Sequence, residues 1–171
     1  LLLQGIRHSM ESFMNDRSTV QTGDNILDVR DLKTYFFTED GVVKAVDGVD
    51  FSVKAGEVLG LVGESGCGKS VSSFSILRLV GTPGRVVNGE IIFEGRDILK
   101  LSKEEMVKMR GDRISMIFQQ PQSSLNPVFR VGEQVAEVLM LHKGIKKKDA
   151  WARAVELLTS VGIPDPEKKA F

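Results

Sequence analysis

The chain has 171 residues with 23 Lys plus Arg against 23 Asp plus Glu, so its formal net charge is zero. That balance excludes a basic nucleic-acid binder or an acidic tail as the default reading. A hydrophobic content of 42% with 27% charged residues is that of an ordinary globular chain, and the single cysteine, Cys67, excludes an internal disulfide and fits a reducing compartment such as the cytoplasm. No apolar run approaches the roughly 18 residues that cross a bilayer. The opening Leu1-Leu2-Leu3 meets Gln4, Gly5 and Arg7 at once, too soon for the apolar core of a secretory signal.

In chain order, residues 1–25 show no sustained period and read as a poorly ordered lead-in, in which Met10 is a candidate natural start. Ile26-Leu27-Asp28-Val29 and Thr34-Tyr35-Phe36-Phe37-Thr38 are β-rich, Glu39-Asp40-Gly41 supplies a hairpin turn, and residues 42–46 return. Val49-Asp50-Phe51-Ser52-Val53 alternates with period two before an Ala55-Gly56 turn, so this part predicts an antiparallel sheet with one wet face. Val58-Leu59-Gly60-Leu61-Val62 is apolar throughout and predicts a strand buried on both faces, as in a parallel α/β sheet. After a glycine-rich turn, Val71, Phe74, Leu77 and Val80 form the stripe of a helix that Gly81-Thr82-Pro83-Gly84 ends. Asn88-Gly89 and Gly95 frame a strand over residues 90–93. Ser102 and Glu105 have capping-box spacing for a helix to Met109, and residues 114–118 predict another buried strand. Residues 131–142 and 149–161 predict two helices, with Trp151, Val155 and Leu158 on one face and Gly162 and Pro164 stopping the second.

The chemistry concentrates in Gly63-Glu64-Ser65-Gly66-Cys67-Gly68-Lys69-Ser70, which fits G-x-x-x-x-G-K-[ST], the phosphate-binding loop. Glycines let the backbone curl so that successive N–H groups face phosphate oxygens, and the following helix presents its positive end. Lys69 would reach the β- and γ-phosphates and the Ser70 hydroxyl would ligate Mg²⁺. The loop alone does not separate kinases, GTPases and transport ATPases. Neither D-x-x-G nor N-K-x-D occurs, which speaks against a GTPase.

Residues 63–70, together with Ile117-Phe118-Gln119-Gln120-Pro121 and Ser124-Leu125-Asn126-Pro127, resemble the ATP-binding subunits of ABC transporters, and most closely those of the oligopeptide, dipeptide and nickel importers. The resemblance runs from about Ile26 to the chain end. It implies a P-loop α/β core of ABC type with an antiparallel β subdomain and the start of a helical subdomain, over residues 26–171. It also implies ATP and Mg²⁺ as cofactors. Nucleotide contacts would come from Phe36 on the adenine, with Tyr35 or Phe37 as alternative alignments, and from Gly63, Glu64, Ser65, Gly66, Cys67, Gly68, Lys69, Ser70 and Val71. Catalytic roles would fall to Lys69 and Gln119, and Ser70 and Gln119 would serve the metal. Implied partners are a second ATP-binding subunit, identical or different, two membrane permeases and, indirectly, an extracytoplasmic binding protein, with no nucleic acid. The place implied is the cytoplasmic face of the inner membrane, held peripherally.

Two positions depart from the resemblance. Gln120 stands where an acidic residue is usual, and Cys67 replaces a common serine, at a position that contributes mainly its backbone N–H. No LSGGQ-like segment, no apolar strand ending in Asp-Glu and no Ser-Gly-Gly occurs in the 171 residues. The domain is therefore expected to be incomplete at its C-terminal side, and the chain alone to bind nucleotide better than it hydrolyses it. A nucleotide-binding module without turnover and a soluble non-transport ABC ATPase are the alternatives. His8 and His142 are too isolated to suggest a metal site. The run Lys146-Lys147-Lys148 reads as a solvated helix start rather than a lipid or nucleic-acid contact.

Overall fold

The structure, a computed structural model, describes residues 24–120 and 125–170. Nearly all of the expected lead-in lies outside them, as do Met10, His8, Pro121 and Ser124. The described residues form two compact units, one ending at Val107 and the other beginning at Lys108.

The first unit is built on a four-stranded antiparallel sheet in the order β2-β1-β3-β4, formed by β1 (Asn25–Thr38), β2 (Gly41–Lys54), β3 (Gly84–Phe93) and β4 (Arg96–Asp97). The hairpin turn falls where the sequence placed it, closed by the Thr38 hydroxyl donating to the Gly41 carbonyl at 2.9 Å. The two β-rich stretches expected over residues 26–38 are one strand, bent at Asp31, whose φ is 43°. That bend shifts the register between Val29 and Leu32. Residues three apart, Val29 and Leu32, therefore both reach the core, which strict alternation forbids. Gly89 of β3 follows the bend. A side chain there would stand 2.7 Å from the Arg30 carbonyl and the Leu32 Cα.

Against one face of the sheet lie Leu77, Ile98, Leu101 and Met106, which with Val29, Leu32, Val46, Ile91 and Phe93 make the buried apolar set of this unit. Leu77 follows helix α1 (Lys69–Ile76), and Met106 belongs to helix α2 (Lys103–Met109), which runs on across the division. The expected capping box is formed at the start of α2. The Ser102 hydroxyl accepts the Glu105 N–H at 3.1 Å, and the Glu105 carboxylate accepts the Ser102 N–H at 3.0 Å.

The second unit is helical: α3 (Val131–Lys143), α4 (Lys147–Ser160) and the short α5 (Pro166–Ala170). Gly144 ends α3 in the left-handed conformation with its N–H on the Met140 carbonyl, as a helix-stopping glycine does. Ala136, Ala150 and Ala154 are fully buried where α3 and α4 meet, flanked by Val135, Leu139, Met140 and Trp151. Small side chains at these positions let the two helices approach closely. The expected shared face of Trp151, Val155 and Leu158 is half-buried, and the deepest row is the alanine one.

Three expectations fail locally. Residues 58–62 and 115–118 are irregular rather than strands, with Val58, Val62 and Ile117 each about nine-tenths exposed or more. A strand apolar on both faces is stable only between flanking strands with cover above and below, and no strand among the described residues pairs with either segment. The predicted helix stripe is also displaced: α1 stops at Ile76, well before Gly81, and its buried positions are Ser72 and Ser75 rather than Val71 and Phe74. Their hydroxyls are spared the desolvation penalty. Ser72 donates to the Gly68 carbonyl at 3.0 Å, and Ser75 donates to the Val71 carbonyl and meets the Thr34 hydroxyl, both at 2.7 Å.

Asp97 ties β4 to the turn leading into α2. Burial pushes its carboxyl up, but the Lys100 ammonium at 2.8 Å and the Leu99 N–H outweigh that and hold it below the ordinary carboxylate range. Because the folded value is depressed, its contribution is present above the unfolded carboxylate value, about 3.9, and is lost as pH falls through the folded one. Urea midpoints should therefore place Asp97→Asn below the parent at pH 7, with the gap closing toward pH 3. A gap independent of pH would show that the charge of Asp97 contributes nothing.

Candidate functional site

After β2 the chain turns at Gly56, crosses residues 57–64 without regular structure and turns again at Ser65 and Gly66 before entering α1. Two glycines set the path. Gly66 has φ of 84° and Gly68, at the N-cap, has φ of 90°, a region that side chains disfavour. Gly68 carries a second constraint, because a Cβ there would stand 2.3 Å from the Ala45 carbonyl oxygen and 3.4 Å from Val46 Cγ2. The loop therefore lies backbone against backbone on β2, and the first turn of α1 is fixed to the hairpin at that point.

The helix start that follows has the chemistry an anion could use. The first N–H groups of an α-helix have no intrahelical acceptor, and here no capping side chain and no acidic residue occupies the first turn. The Lys69 ammonium arches over the loop, donating to the Gly63 and Glu64 carbonyls at 2.6 Å each and standing 3.2 Å from Cys67 Sγ. Carbonyl partners orient the ammonium without cancelling its charge. Cys67 Sγ crosses the loop so closely that a Cβ at Gly63 would stand 2.6 Å from it. The Ser70 side chain is exposed at the same helix start, and Val71 follows, half-buried.

Of the three consecutive aromatics, two are engaged elsewhere. The Tyr35 phenol donates to Asp47 at 2.5 Å, and the Arg85 guanidinium lies 4.4 Å from the centre of the Phe37 ring. Phe36, half-buried, packs beside Gly84, where a Cβ would stand 2.6 Å from the ring, and pairs across the hairpin with Val43. Val43 is two residues from Ala45, about 7 Å along the strand. Phe36 and residues 63–71 thus share one unit. Gln119 belongs to the other, exposed at a bend beside Gln120.

In that second unit, Asn126 and Pro127 begin a turn locked to α3. The Asn126 side chain accepts the Val128 N–H at 3.0 Å. Gln134 accepts the Asn126 N–H at 2.9 Å and donates to the Asn126 and Phe129 carbonyls at 3.0 Å. Sequence reading placed Gln134 in the resembling stretch Arg130-Val131-Gly132-Glu133-Gln134 but assigned it no role; the signal for one was an amide side chain one turn into a helix that follows Asn-Pro. It also passed over Thr34, whose buried hydroxyl holds α1 to β1 through Ser75. His142 packs its ring on Gly111, where a Cβ would stand 2.7 Å from Nε2.

The sequence profile of the family described as ABC transporter matches residues 46–171. The chain belongs to the ABC transporter family. Among its relatives, a probable peptide ABC transporter ATP-binding protein of Sinorhizobium fredii is 51% identical over 147 residues, 85% of this chain and 44% of that protein. The oligopeptide transport ATP-binding proteins OppD of Escherichia coli and AppD of Bacillus subtilis are 48% and 49% identical, covering 87% and 84% of the chain and 44% of each relative. The chain thus spans less than half the length of these ABC proteins. Its fold is similar to that of the dimeric bacterial ABC transporter cassette MJ0796, with a TM-score of 0.67 at 24% identity over 78% of this chain and 56% of that one. A post-hydrolysis structure of the same cassette, bound to ADP and phosphate, scores 0.68. The fold class read from the sequence, an ABC-type P-loop α/β domain with an antiparallel β subdomain, is therefore the fold of this chain. Among the described residues no helix is long and apolar enough to cross a membrane.

The two loop glycines separate strain from contact. Gly66→Ala meets nothing within 4 Å and should lose only the left-handed penalty, about 1–2 kcal/mol. Gly68→Ala must also displace the Ala45 carbonyl and should lose at least about 1 kcal/mol more. Equal losses in parallel urea melts would mean that β2 does not press on the loop.

Proposed function

We propose that the chain is the nucleotide-binding front of an ATP-binding subunit of a peptide importer, coupling the binding and hydrolysis of ATP to uptake across the cytoplasmic membrane. One observation carries the reading: a glycine loop pinned to the sheet at Gly68, opening a helix with an acid-free first turn beneath the uncancelled charge of Lys69. Names of relatives at about half identity support the peptide class. The nucleotide-binding domain is assigned to residues 26–171.

The residues fit the nucleotide and its metal. Backbone N–H groups from Ser65 to Val71 would hold phosphate oxygens, Lys69 would neutralise the outer phosphates, and Phe36 would offer its ring to adenine. Ser70 brings a hydroxyl and Gln119 an amide carbonyl, the hard oxygen donors that Mg²⁺ takes. The metal, when bound, supplies charge neutralisation on the transferring phosphoryl oxygens. What this chain contributes is binding and orientation. Glycine-imposed curvature aims the amides, and the sheet contact fixes them in advance, so little reorganisation is needed when the anion arrives.

Turnover is proposed for the whole subunit, since an Asp-Glu-terminated strand and an LSGGQ-like segment are not among the 171 residues. The proposed assembly has two ATP-binding subunits, two permeases and an extracytoplasmic binding protein acting through them. It places this chain peripherally on the cytoplasmic face of the inner membrane.

Replacing Lys69 with Ala removes a charge-assisted contact, so the ATP dissociation constant should rise roughly tenfold to a hundredfold by calorimetric titration. An unchanged constant would sink the phosphate-loop assignment.

A further inference from the structure

Helix α1 is short, and within it the buried positions are the serines Ser72 and Ser75, so its apolar anchorage comes mainly from Leu77 just past its end. Beyond its C-terminal end a cavity of about 330 Å³ opens between Arg78, Val80, Leu99 and the start of β3. The helix nevertheless ends in an ordered way. The Leu79 N–H reaches back to the Phe74 carbonyl at 2.8 Å and the Arg78 N–H to the Ser75 carbonyl at 3.0 Å, the paired bonds of a left-handed helix stop. The residue taking the left-handed conformation, with φ of 52°, is Arg78, where glycine would be free of strain.

The compensation lies in its side chain. Arg78 Nη1 donates to the Leu101 carbonyl at 2.6 Å and the Ile98 carbonyl at 3.2 Å, crossing from the end of α1 to the segment that enters the capping box of α2. Bonds from a charged donor are among the stronger ones, and these are partly buried. Resting on the nucleotide-binding reading above, we propose that Arg78 is a positioning residue for the phosphate loop: just beyond α1 it reinforces the far end, where the Thr34–Ser75 bond holds the last turn, while the Gly68–Ala45 contact anchors the near end. An eight-residue helix held at both ends cannot slide or tilt, so the amides of its first turn and the base of Lys69 stay aimed at the phosphates. Without Arg78 the far end keeps only the Thr34–Ser75 bond and the burial of Leu77, and the helix has more freedom to tilt about its N-terminus.

The test compares the wild-type chain with Arg78→Gly and Arg78→Lys by ATP titration, by urea midpoint, and by ¹⁵N amide shifts of residues 66–70 without nucleotide. Glycine removes the tether while relieving the backbone, two effects on stability that oppose each other, so Arg78→Gly should weaken ATP about fivefold to tenfold and move the loop amides beyond what any change in urea midpoint explains. Arg78→Lys keeps a charged donor and should recover most of the affinity. Unchanged affinity and unmoved amides in Arg78→Gly would overturn the proposal, as would a weakening in both variants that simply follows their loss of stability. Should the wild-type chain fail to bind ATP, the nucleotide reading falls, and the amide shifts alone decide for or against the anchor.

Discussion

The near end of the glycine-rich loop is positioned by the closeness of Gly68 to the Ala45 carbonyl, the contact on which its other anchors build. A contact that leaves no room for one methyl group makes the loop and β2 a single body, and it does so through backbone atoms, which have no rotamers to absorb an error. The hairpin is thus part of the site. The bend of β1 at Asp31 belongs to the same arrangement, because it lets Val29 and Leu32 both reach the core while Thr34, further along the strand, meets Ser75 of α1.

The charges divide into two populations. On the sheet, Arg30 pairs with Asp28, Lys33 with Asp31 and Lys44 with Asp47, all largely exposed, and such pairs contribute little to stability. Their effect is on orientation. Asp47 takes both the Tyr35 phenol and the Lys44 ammonium, and Arg85 covers Phe37, so the aromatic triplet retains one ring, Phe36, without a charged or hydrogen-bonded partner among those described. Lys69 is different in kind. Among the described residues it meets carbonyls and a thiol but no carboxylate, so its positive charge is not paired there at the helix end.

How legible this was in the sequence depended on how local each cause is. The curl of the glycine-rich loop, its lysine and the helix start could be read because they are specified within eight consecutive residues. The capping box at Ser102 and Glu105 and the glycine stop at Gly144 could be read for the same reason. That Tyr35 and Phe37 are engaged while Phe36 is left without a charged or hydrogen-bonded partner among those described could not be read, since Asp47 and Arg85 lie elsewhere in the sequence. The stripe of α1 was misplaced because hydrophobicity cannot foresee that buried serines find acceptors one turn back and a threonine on β1. Arg78 gave no signal at all, because its left-handed backbone and its two carbonyl partners exist only in three dimensions.

Residues 58–62 show where pattern and environment part. Fully burying a valine contributes about 1.5–3 kcal/mol relative to leaving it exposed, and Val58 and Val62 are 95% and 97% exposed. Such a sequence is written for two covered faces, and hydrogen-bonded strands on either side are an arrangement that both covers it and satisfies its backbone. The antiparallel sheet does not supply them, since β2, the strand before this segment, pairs with β1 on one side and turns away at Gly56. The phosphate loop keeps its conformation without that layer because it is held from three other directions, by Ala45, by Thr34 and by Arg78. The loop conformation is therefore formed where the strand leading into it is not.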